Sequence, residues 1–240
     1  MHLGIILKAK QMVGRRIAVA TFAVTLCVGP VPAQTPPSPE ELKIYAGLHE
    51  AAAKGDAAEI ERLIAAGEKP DIQDSRSRTP LHVAVFFKKY DAVRALLKAG
   101  ANPNTFEYQR YDPLTIAAVA NDVEMVKILL AGGASARNVT SRYDGTALIA
   151  AAHLGHVEVV KLLIAAKAPL NHINNLGWTA LMESVVLGSG GANHIATLRA
   201  LVEAGADVNI PDRHGITPLQ HARRRGYSEM ARILEAAGAK

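Results

Sequence analysis

Histidine is the residue type whose spacing in this sequence first suggests chemistry. His153 and His156, in the stretch HLGH, are close enough along the chain to suggest a pair of metal ligands. Neither cysteine nor an acidic cluster accompanies them, and the only cysteine of the chain is the distant Cys27. We therefore expect no metal, and a zinc site remains the less favoured interpretation of this pair.

The remaining chemistry-bearing residues do not assemble into a catalytic set. The sequence has no Gly-rich phosphate loop, no serine nucleophile motif and no paired carboxylates on one helix face. The only basic run, Arg223 to Arg225, is either a solvated end of the chain or a contact for an acidic partner. We expect no catalytic residue and no cofactor.

The first 33 residues have the three parts of a secretory signal peptide. Four basic residues and no acid come first, and the apolar run IAVATFAVTLCV follows at 17–28. Twelve apolar residues are too few to span about 30 Å of hydrocarbon, which disfavours a membrane anchor. We expect cleavage after Ala33 and a periplasmic or secreted location, with either Met1 or Met12 as the true start.

Cleavage at that site changes what the charge implies. The formal net charge falls from +5 to +1, because four of the 27 basic residues and none of the 22 acidic ones are removed. The basic balance therefore belongs to the export signal and gives no support for nucleic-acid binding. Cys27 is removed as well, which excludes disulfides and a thiolate nucleophile in the mature chain.

The segment after the signal joins it to the main domain. Residues 34–40, QTPPSPE, are polar and proline-rich and predict a disordered linker. Ser38 and Pro39, followed by two acids, predict the start of a helix with Ser38 as its N-cap. We expect the domain itself to span 41–240.

One element recurs through the rest of the chain. RTPLHVAV at 78–85 returns as YDPLTIAA, GTALIAAA, WTALMESV and ITPLQHAR, with spacings of 33, 34, 33 and 38 residues. About fourteen residues after each anchor comes a second apolar segment, such as VKLLIAAKA. The anchors can cap a helix, and glycines stand where each second helix must stop. The anchors are Thr79, Asp112, Thr146, Thr179 and Thr217.

These repeats resemble the ankyrin-repeat family, whose TPLH signature stands at 79–82. The resemblance covers nearly all of 41–240. It implies an all-α solenoid of about six repeats, each a β-turn finger followed by a helix, a turn and a second helix. It also implies that His82 bonds neighbouring turns and that HLGH is a turn between helices. The expected repeats are approximately 41–73, 74–106, 107–140, 141–173, 174–211 and 212–240.

Two departures from the repeat pattern stand out. Lys167 replaces the glycine that ends the second helix of the other repeats, which predicts a wider turn. The fifth repeat is about five residues too long, and its excess lies in LGSGGAN at 187–193. The glycines predict a flexible insertion, which is either without function or a loop that contacts a partner.

The resemblance implies that partner proteins bind at the fingertips and at the inner face of each first helix. Six of the ten aromatic residues after position 33 fall at these positions, and arginines surround them. The alternative is that the rings stiffen the array by packing on neighbouring fingers. The predicted partner-binding residues are Arg76, Arg78, Phe86, Phe87, Tyr108, Tyr111, Arg142, Tyr143, His153, Trp178, Leu187 and Arg213.

The function implied by these features is non-catalytic protein binding outside the cytoplasm. An accessory or protective factor for a periplasmic enzyme is the favoured form. The alternatives are an inhibitor or immunity protein for a toxic enzyme and a membrane-anchored adaptor with an uncleaved N-terminus. The pattern leaves the partner's identity and the oligomeric state open.

Overall fold

Residues 34–240, the part that the computed structural model describes, form thirteen helices and no strand beyond one isolated bridge between Thr140 and Gly145. The predictions for the signal peptide lie outside these residues. No helix in the described part is long and apolar enough to cross a membrane. The helices are α1 Pro39–Ile44, α2 Gly47–Lys54, α3 Ala57–Ala65, α4 Pro80–Phe86, α5 Tyr90–Lys98, α6 Pro113–Val119, α7 Val123–Ala131, α8 Ala147–Leu154, α9 Val157–Ala165, α10 Ala180–Val186, α11 Ala192–Glu203, α12 Pro218–Arg224 and α13 Ser228–Ala236.

After α1, the helices alternate between two stacked layers. The even-numbered helices α2 to α12 contact one another in chain order, and the odd-numbered helices α3 to α13 do the same. We call them the A helices and the B helices. Each A helix also contacts the B helix that follows it. Six helix pairs therefore stack in a line, and the predicted all-α solenoid is confirmed.

The A helices begin at the residues that the repeat pattern predicts. The Thr79 hydroxyl and the Asp112 carboxylate accept hydrogen bonds from the backbone N–H groups of His82 and Thr115. Thr146, Thr179 and Thr217 cap α8, α10 and α12 in the same way. Each cap satisfies an N–H group that has no partner within its helix.

One leucine from each layer recurs in the core of nearly every repeat. The A-helix leucines follow the capping residue by two positions, and none is more than 2% exposed. Because the leucines of one repeat are covered by those of its neighbours, the core is continuous along the stack. These leucines are Leu81, Leu114, Leu148, Leu181 and Leu219 in the A helices, and Leu96, Leu129, Leu163, Leu201 and Leu234 in the B helices.

The predicted wide turn at Lys167 is wrong. The Lys167 backbone adopts the left-handed conformation with φ of 63°, the region that Gly100 occupies in its own repeat. The Ala168 N–H donates to the Leu163 carbonyl at 3.0 Å, just as Ala101 donates to Leu96 at 3.0 Å. The turn therefore keeps its shape, and the lysine backbone carries the strain of a positive φ.

The insertion at 187–193 is held to its neighbours at Gly188, whereas Ser189 and residues 191–193 are exposed. The extra residues lengthen α11 to twelve residues, whereas the other B helices have nine. Gly188 is buried, and a Cβ there would lie 2.0 Å from the Ser184 carbonyl oxygen. The Tyr227 hydroxyl donates to the Gly188 carbonyl at 3.0 Å, which fixes the insertion to the next repeat.

The predicted linker at 34–40 overlaps the first helix of the domain. Gln34 and Pro37 are buried, and Pro39 and Glu40 already belong to α1. The predicted helix start is confirmed, because the Ser38 hydroxyl accepts from the Glu41 N–H and the Glu41 carboxylate accepts from the Ser38 N–H.

Candidate protein-interaction face

Five turns, which we call fingers 2 to 6, precede the helices α4, α6, α8, α10 and α12. In four of them the first side chain accepts hydrogen bonds from the backbone N–H groups two and four residues later, at 2.8 to 3.1 Å. These side chains are therefore directed into the turn and away from solvent. They are Asp74, Glu107, Asn174 and Asp212, and the fingers span 74–78, 107–111, 140–145, 174–178 and 212–216.

Backbone hydrogen bonds join consecutive fingers. The Tyr108 N–H donates to the Arg76 carbonyl at 2.9 Å, which links fingers 2 and 3. Fingers 3 and 4 are joined by Ser141 N–H to Arg110 carbonyl at 2.8 Å, and fingers 4 and 5 by Asn175 N–H to Tyr143 carbonyl at 2.9 Å. Fingers 2 to 5 thus form one connected row. We call this row, together with finger 6 and the C-terminal ends of the A helices, the finger face.

Histidines tie the A helices to the fingers. His82 Nε2 lies 3.3 Å from the Tyr111 carbonyl of the next finger, which confirms the predicted structural role. Its Nδ1 accepts from the Thr79 N–H at 3.2 Å. Burial lowers the pKa of His82 to about 4, so the ring is neutral in the fold. In the third repeat, where the histidine is absent, the Thr115 hydroxyl bonds the Thr140 hydroxyl at 3.3 Å instead.

Arg78 is not a partner-binding residue of the surface, contrary to the prediction. Its side chain is 1% exposed and donates to Asp74 at 2.7 Å and to Glu41 at 2.6 Å. The Tyr45 hydroxyl completes this network with a 2.6 Å hydrogen bond to Asp74. Because a buried guanidinium must be paired, Arg78 fastens α1 and the second finger together.

The predicted aromatic residues differ in how much of each ring solvent reaches. Tyr108 is 61% exposed, whereas Phe86, Phe87 and Tyr111 are partly buried and pack against the core. Tyr143, Trp178 and Leu187 are half-buried as well. Phe106, which the pattern placed just outside the binding positions, is 40% exposed. Tyr108 is therefore displayed to solvent, whereas the rings of Phe86, Phe87 and Tyr111 pack against the core.

Three predicted arginines do lie on the surface. Arg76 pairs with Glu41 at 3.0 Å, and its guanidinium carbon is 6.0 Å from the centre of the Tyr108 ring. Arg142 is exposed, with its guanidinium carbon 5.9 Å from the centre of the Tyr143 ring. Arg213 is exposed and donates to the Asn175 carbonyl of finger 5.

Sequence reasoning missed the partner of His153. Glu183 of α10 is 4% exposed, and its carboxylate accepts from His153 Nδ1 at 3.0 Å and from the Asn174 amide at 2.9 Å. The sequence did carry a signal for this pair, because Glu183 is an acid at the position where other repeats have Val83 or Ile116. His156 instead bonds the Ala118 carbonyl at 3.0 Å. Across residues 34–240, no cluster of three or more His, Cys, Asp or Glu side chains has the arrangement of a metal site.

Comparisons with known proteins identify the architecture. The model of a family described as ankyrin repeats (3 copies) matches residues 48–138 and 114–212. An ankyrin repeat domain from Acinetobacter baumannii is 42% identical in sequence with a TM-score of 0.77, over 80% of this chain and 98% of that one. The chain belongs to the ankyrin-repeat family. Ankyrin repeats are in general protein-binding modules, which agrees with exposed side chains on the fingers.

The chain is also similar to a curated bacterial protein and to a chain from a solved complex. The putative ankyrin repeat protein YahD of Escherichia coli is 42% identical over 103 residues, which is 42% of this chain and 51% of YahD. The matched region thus spans about half of that curated relative. A chain from the complex of the Bdellovibrio bacteriovorus predatory endopeptidase Bd0816 with immunity protein Bd3460 is 25% identical, with a TM-score of 0.66 over 80% of this chain and 98% of that one.

Proposed function

We propose that this protein is an exported, non-catalytic ankyrin-repeat module that binds a partner protein through its finger face. The observation that carries the proposal is the finger row itself, where Tyr108 and Leu176 are 61% and 41% exposed on a backbone held by hydrogen bonds. Aromatic and arginine side chains supply most of the energy of protein interfaces. A fixed backbone presents them with little loss of conformational freedom on binding.

The experiment compares the finger face with the B helices of the same molecule. A photo-crosslinking amino acid replaces Tyr108 in one variant and the exposed Lys127 of α7 in a matched control. We expect a discrete cross-linked protein from position 108 only, because position 127 lies on the B helices. Equal cross-linking from both positions, or cross-linking from position 127 alone, contradicts the proposal.

A second pair of variants separates binding from stability. Tyr108→Ala combined with Leu176→Ala removes exposed side chains, so we expect partner capture to be lost while urea unfolding is unchanged. Tyr111→Ala, at a ring that packs against the core, is expected to lower stability as well. Capture that survives the double substitution places the contact elsewhere.

Export is proposed from the N-terminal pattern of basic residues, apolar run and small residues. Sequencing the N-terminus of protein purified from its native host tests it. A chain that begins at Gln34 supports cleavage and a periplasmic or secreted location. An intact Met1 or Met12 supports the membrane-anchored adaptor instead.

The favoured role is an accessory or protective factor for a periplasmic enzyme. A second candidate is an inhibitor or immunity protein for a toxic enzyme, which the similarity to a chain of the endopeptidase–immunity protein complex supports. The captured partner decides between them when its activity is assayed with and without the purified ankyrin protein. Stoichiometric loss of activity supports inhibition, and preserved or longer-lived activity supports protection.

A further inference from the structure

The exposed charges of the fingers are almost all positive. Four arginines lie on their outer surface, namely Arg76, Arg110, Arg142 and Arg213. Three acidic side chains of the fingers are directed into the turns, where they accept hydrogen bonds from backbone N–H groups. They are Asp74, Glu107 and Asp212. The one outward carboxylate, Asp144, pairs with Arg110 at 3.1 Å. The basic character is local, because residues 34–240 hold 23 basic and 22 acidic residues.

The arginines differ in whether the chain itself neutralises them. Arg76 pairs with Glu41 and Arg110 pairs with Asp144. Among the described residues, no carboxylate lies within ion-pair distance of Arg142 or Arg213. Both are exposed, so these two guanidinium groups keep their charge available to a ligand.

Arg142 and Arg213 flank finger 5. The Asn175 side-chain amide donates to the Arg142 carbonyl at 2.8 Å, and Arg213 donates to the Asn175 carbonyl. The stem of Arg213 lies over Gly177, where a Cβ would be 2.6 Å from the Arg213 Cγ. Between the two arginines, Leu176 is 41% exposed. We call Arg142, Tyr143, Leu176, Trp178 and Arg213 the finger-5 patch.

We propose that the finger-5 patch binds an acidic segment of the partner protein that carries an apolar side chain between its carboxylates. This inference rests on the proposed function and names the chemistry of the partner. Guanidinium groups bind carboxylates through two parallel hydrogen bonds, and the stacking of Arg142 on Tyr143 leaves its N–H groups free to do so. The apolar side chain of the partner contacts Leu176 and the half-buried Trp178.

Single-stranded nucleic acid is the other class of ligand with negative charge and apolar rings. It is disfavoured because binding of this kind needs a groove that follows many phosphates. The finger-5 patch offers two unpaired arginines, and the fingers toward the N-terminus have theirs paired to carboxylates of the same chain. A nucleic-acid probe is therefore one arm of the test.

The test measures fluorescence anisotropy of labelled probes with the full mature chain at low ionic strength. The probes are the peptide Glu-Glu-Glu-Leu-Glu-Glu-Glu, the same peptide with lysine in place of glutamate, and an oligothymidylate of similar length. Arg142→Gln with Arg213→Gln is the test variant. Arg94→Gln with Arg199→Gln is the matched control, because both are B-helix arginines with 51% side-chain exposure and the loss of charge is equal.

We expect the acidic peptide to bind the wild type and the control, and the test variant to bind it about tenfold more weakly. Raising the salt concentration should weaken the interaction. No binding of the acidic peptide, equal loss in both variants, or tighter binding of the oligothymidylate overturns the proposal. Arg213→Gln removes a hydrogen bond to the Asn175 carbonyl, so thermal unfolding checks that the test variant keeps its fold. If the test variant is destabilised, Arg142→Gln alone serves as the test variant.

Failure of this inference is distinguishable from failure of the proposed function. The same two double variants are also carried into the cross-linking experiment at position 108. A cross-linked partner that persists in the Arg142→Gln and Arg213→Gln variant keeps the protein-binding function and rejects the acidic contact. Absence of any cross-linked partner in the wild type rejects the function itself.

Discussion

The B helices and the fingers treat charged side chains in different ways. On the B helices, arginines and lysines form surface ion pairs, often with carboxylates of the neighbouring repeat. Examples are Arg94 with Glu124 at 3.0 Å and Arg199 with Glu229 at 3.1 Å. On the fingers, Asp74, Glu107 and Asp212 turn inward to hold the backbone. The finger arginines are of three kinds: Arg78 is buried in a network, Arg76 and Arg110 are exposed and paired with a carboxylate, and Arg142 and Arg213 are exposed without one. The B-helix charges thus neutralise one another, whereas two of the finger arginines are left without a carboxylate partner among the described residues.

The sharpest test of this difference is Arg78→Ala beside Arg94→Ala. Removing Arg78 leaves Asp74 and Glu41 without their guanidinium, so we expect about 3 to 5 kcal/mol lower stability. Removing Arg94, which is 51% exposed, should cost less than about 1 kcal/mol. Urea unfolding measures the free energy of unfolding of both variants. Equal losses would remove the distinction between the fingers and the B helices.

The second prediction concerns pH and the histidine that ties α4 to finger 3. The His82 pKa of about 4 lies below the unfolded value near 6.5, so the unfolded chain binds more protons between these pH values and acid favours unfolding. The contribution of His82 is complete above about pH 6.5 and is lost as the pH falls toward 4. We expect this loss to reach at most about 3 kcal/mol.

The control for the pH effect is His82→Gln, measured by urea unfolding at a series of pH values. Gln220 stands at the same position of the last repeat, where its carbonyl oxygen accepts from the Thr217 N–H at 3.2 Å. Burial raises the pKa of both Glu107 and Asp112, which acts in the opposite direction because their protonation favours the fold. The prediction therefore concerns the difference between wild type and variant, which fails if both lose stability equally in acid.

The third prediction addresses the junction between the layers in the fifth repeat. Gly188→Ala places a Cβ against the Ser184 carbonyl oxygen, so the insertion must shift, and we expect about 1 to 3 kcal/mol of destabilisation. Gly191→Ala is the matched control, because Gly191 is exposed and the added Cβ would lie 3.2 Å from the Ser189 hydroxyl oxygen as its nearest neighbour. Thermal unfolding compares them, and a neutral Gly188→Ala would restore the interpretation of a loose loop.

The smallest expected effect is at Lys167, at the end of α9. Lys167→Gly relieves a positive φ, although glycine also makes the unfolded chain more flexible, so we expect a gain of about 0.5 kcal/mol. Gly100→Lys, the reverse change in an equivalent turn, should be destabilising by a similar amount. Chemical unfolding under identical conditions measures both, and opposite signs from those expected would show that the two turns are not equivalent.

The repeat pattern predicted the helices because each signal is local. Thr79, Asp112 and Thr217 cap helices that begin at the next residue, and the leucines two positions later are buried. The resemblance to the ankyrin-repeat family also implied that His82 would bond the neighbouring turn, and its ring reaches the Tyr111 carbonyl.

The sequence did not predict the features that depend on residues outside the repeat. Arg78 is buried in a network with Glu41, which is 37 positions away in α1. The repeat pattern says nothing about α1, so the arginine looked like its exposed counterparts. The packing of the insertion was missed as well, because glycine composition predicts flexibility and does not reveal that Gly188 packs closely against Ser184.

The backbone hydrogen bonds between neighbouring fingers have a consequence for the thermodynamics of association. Because Tyr108 is bonded to Arg76 and Asn175 to Tyr143, the contact side chains of fingers 2 to 5 are held at a fixed spacing before any ligand arrives. Complex formation at the finger face, as proposed above, would then order side chains but not loops, which keeps the entropic penalty small. It would also favour partners whose own contact points recur at the distance between successive repeats.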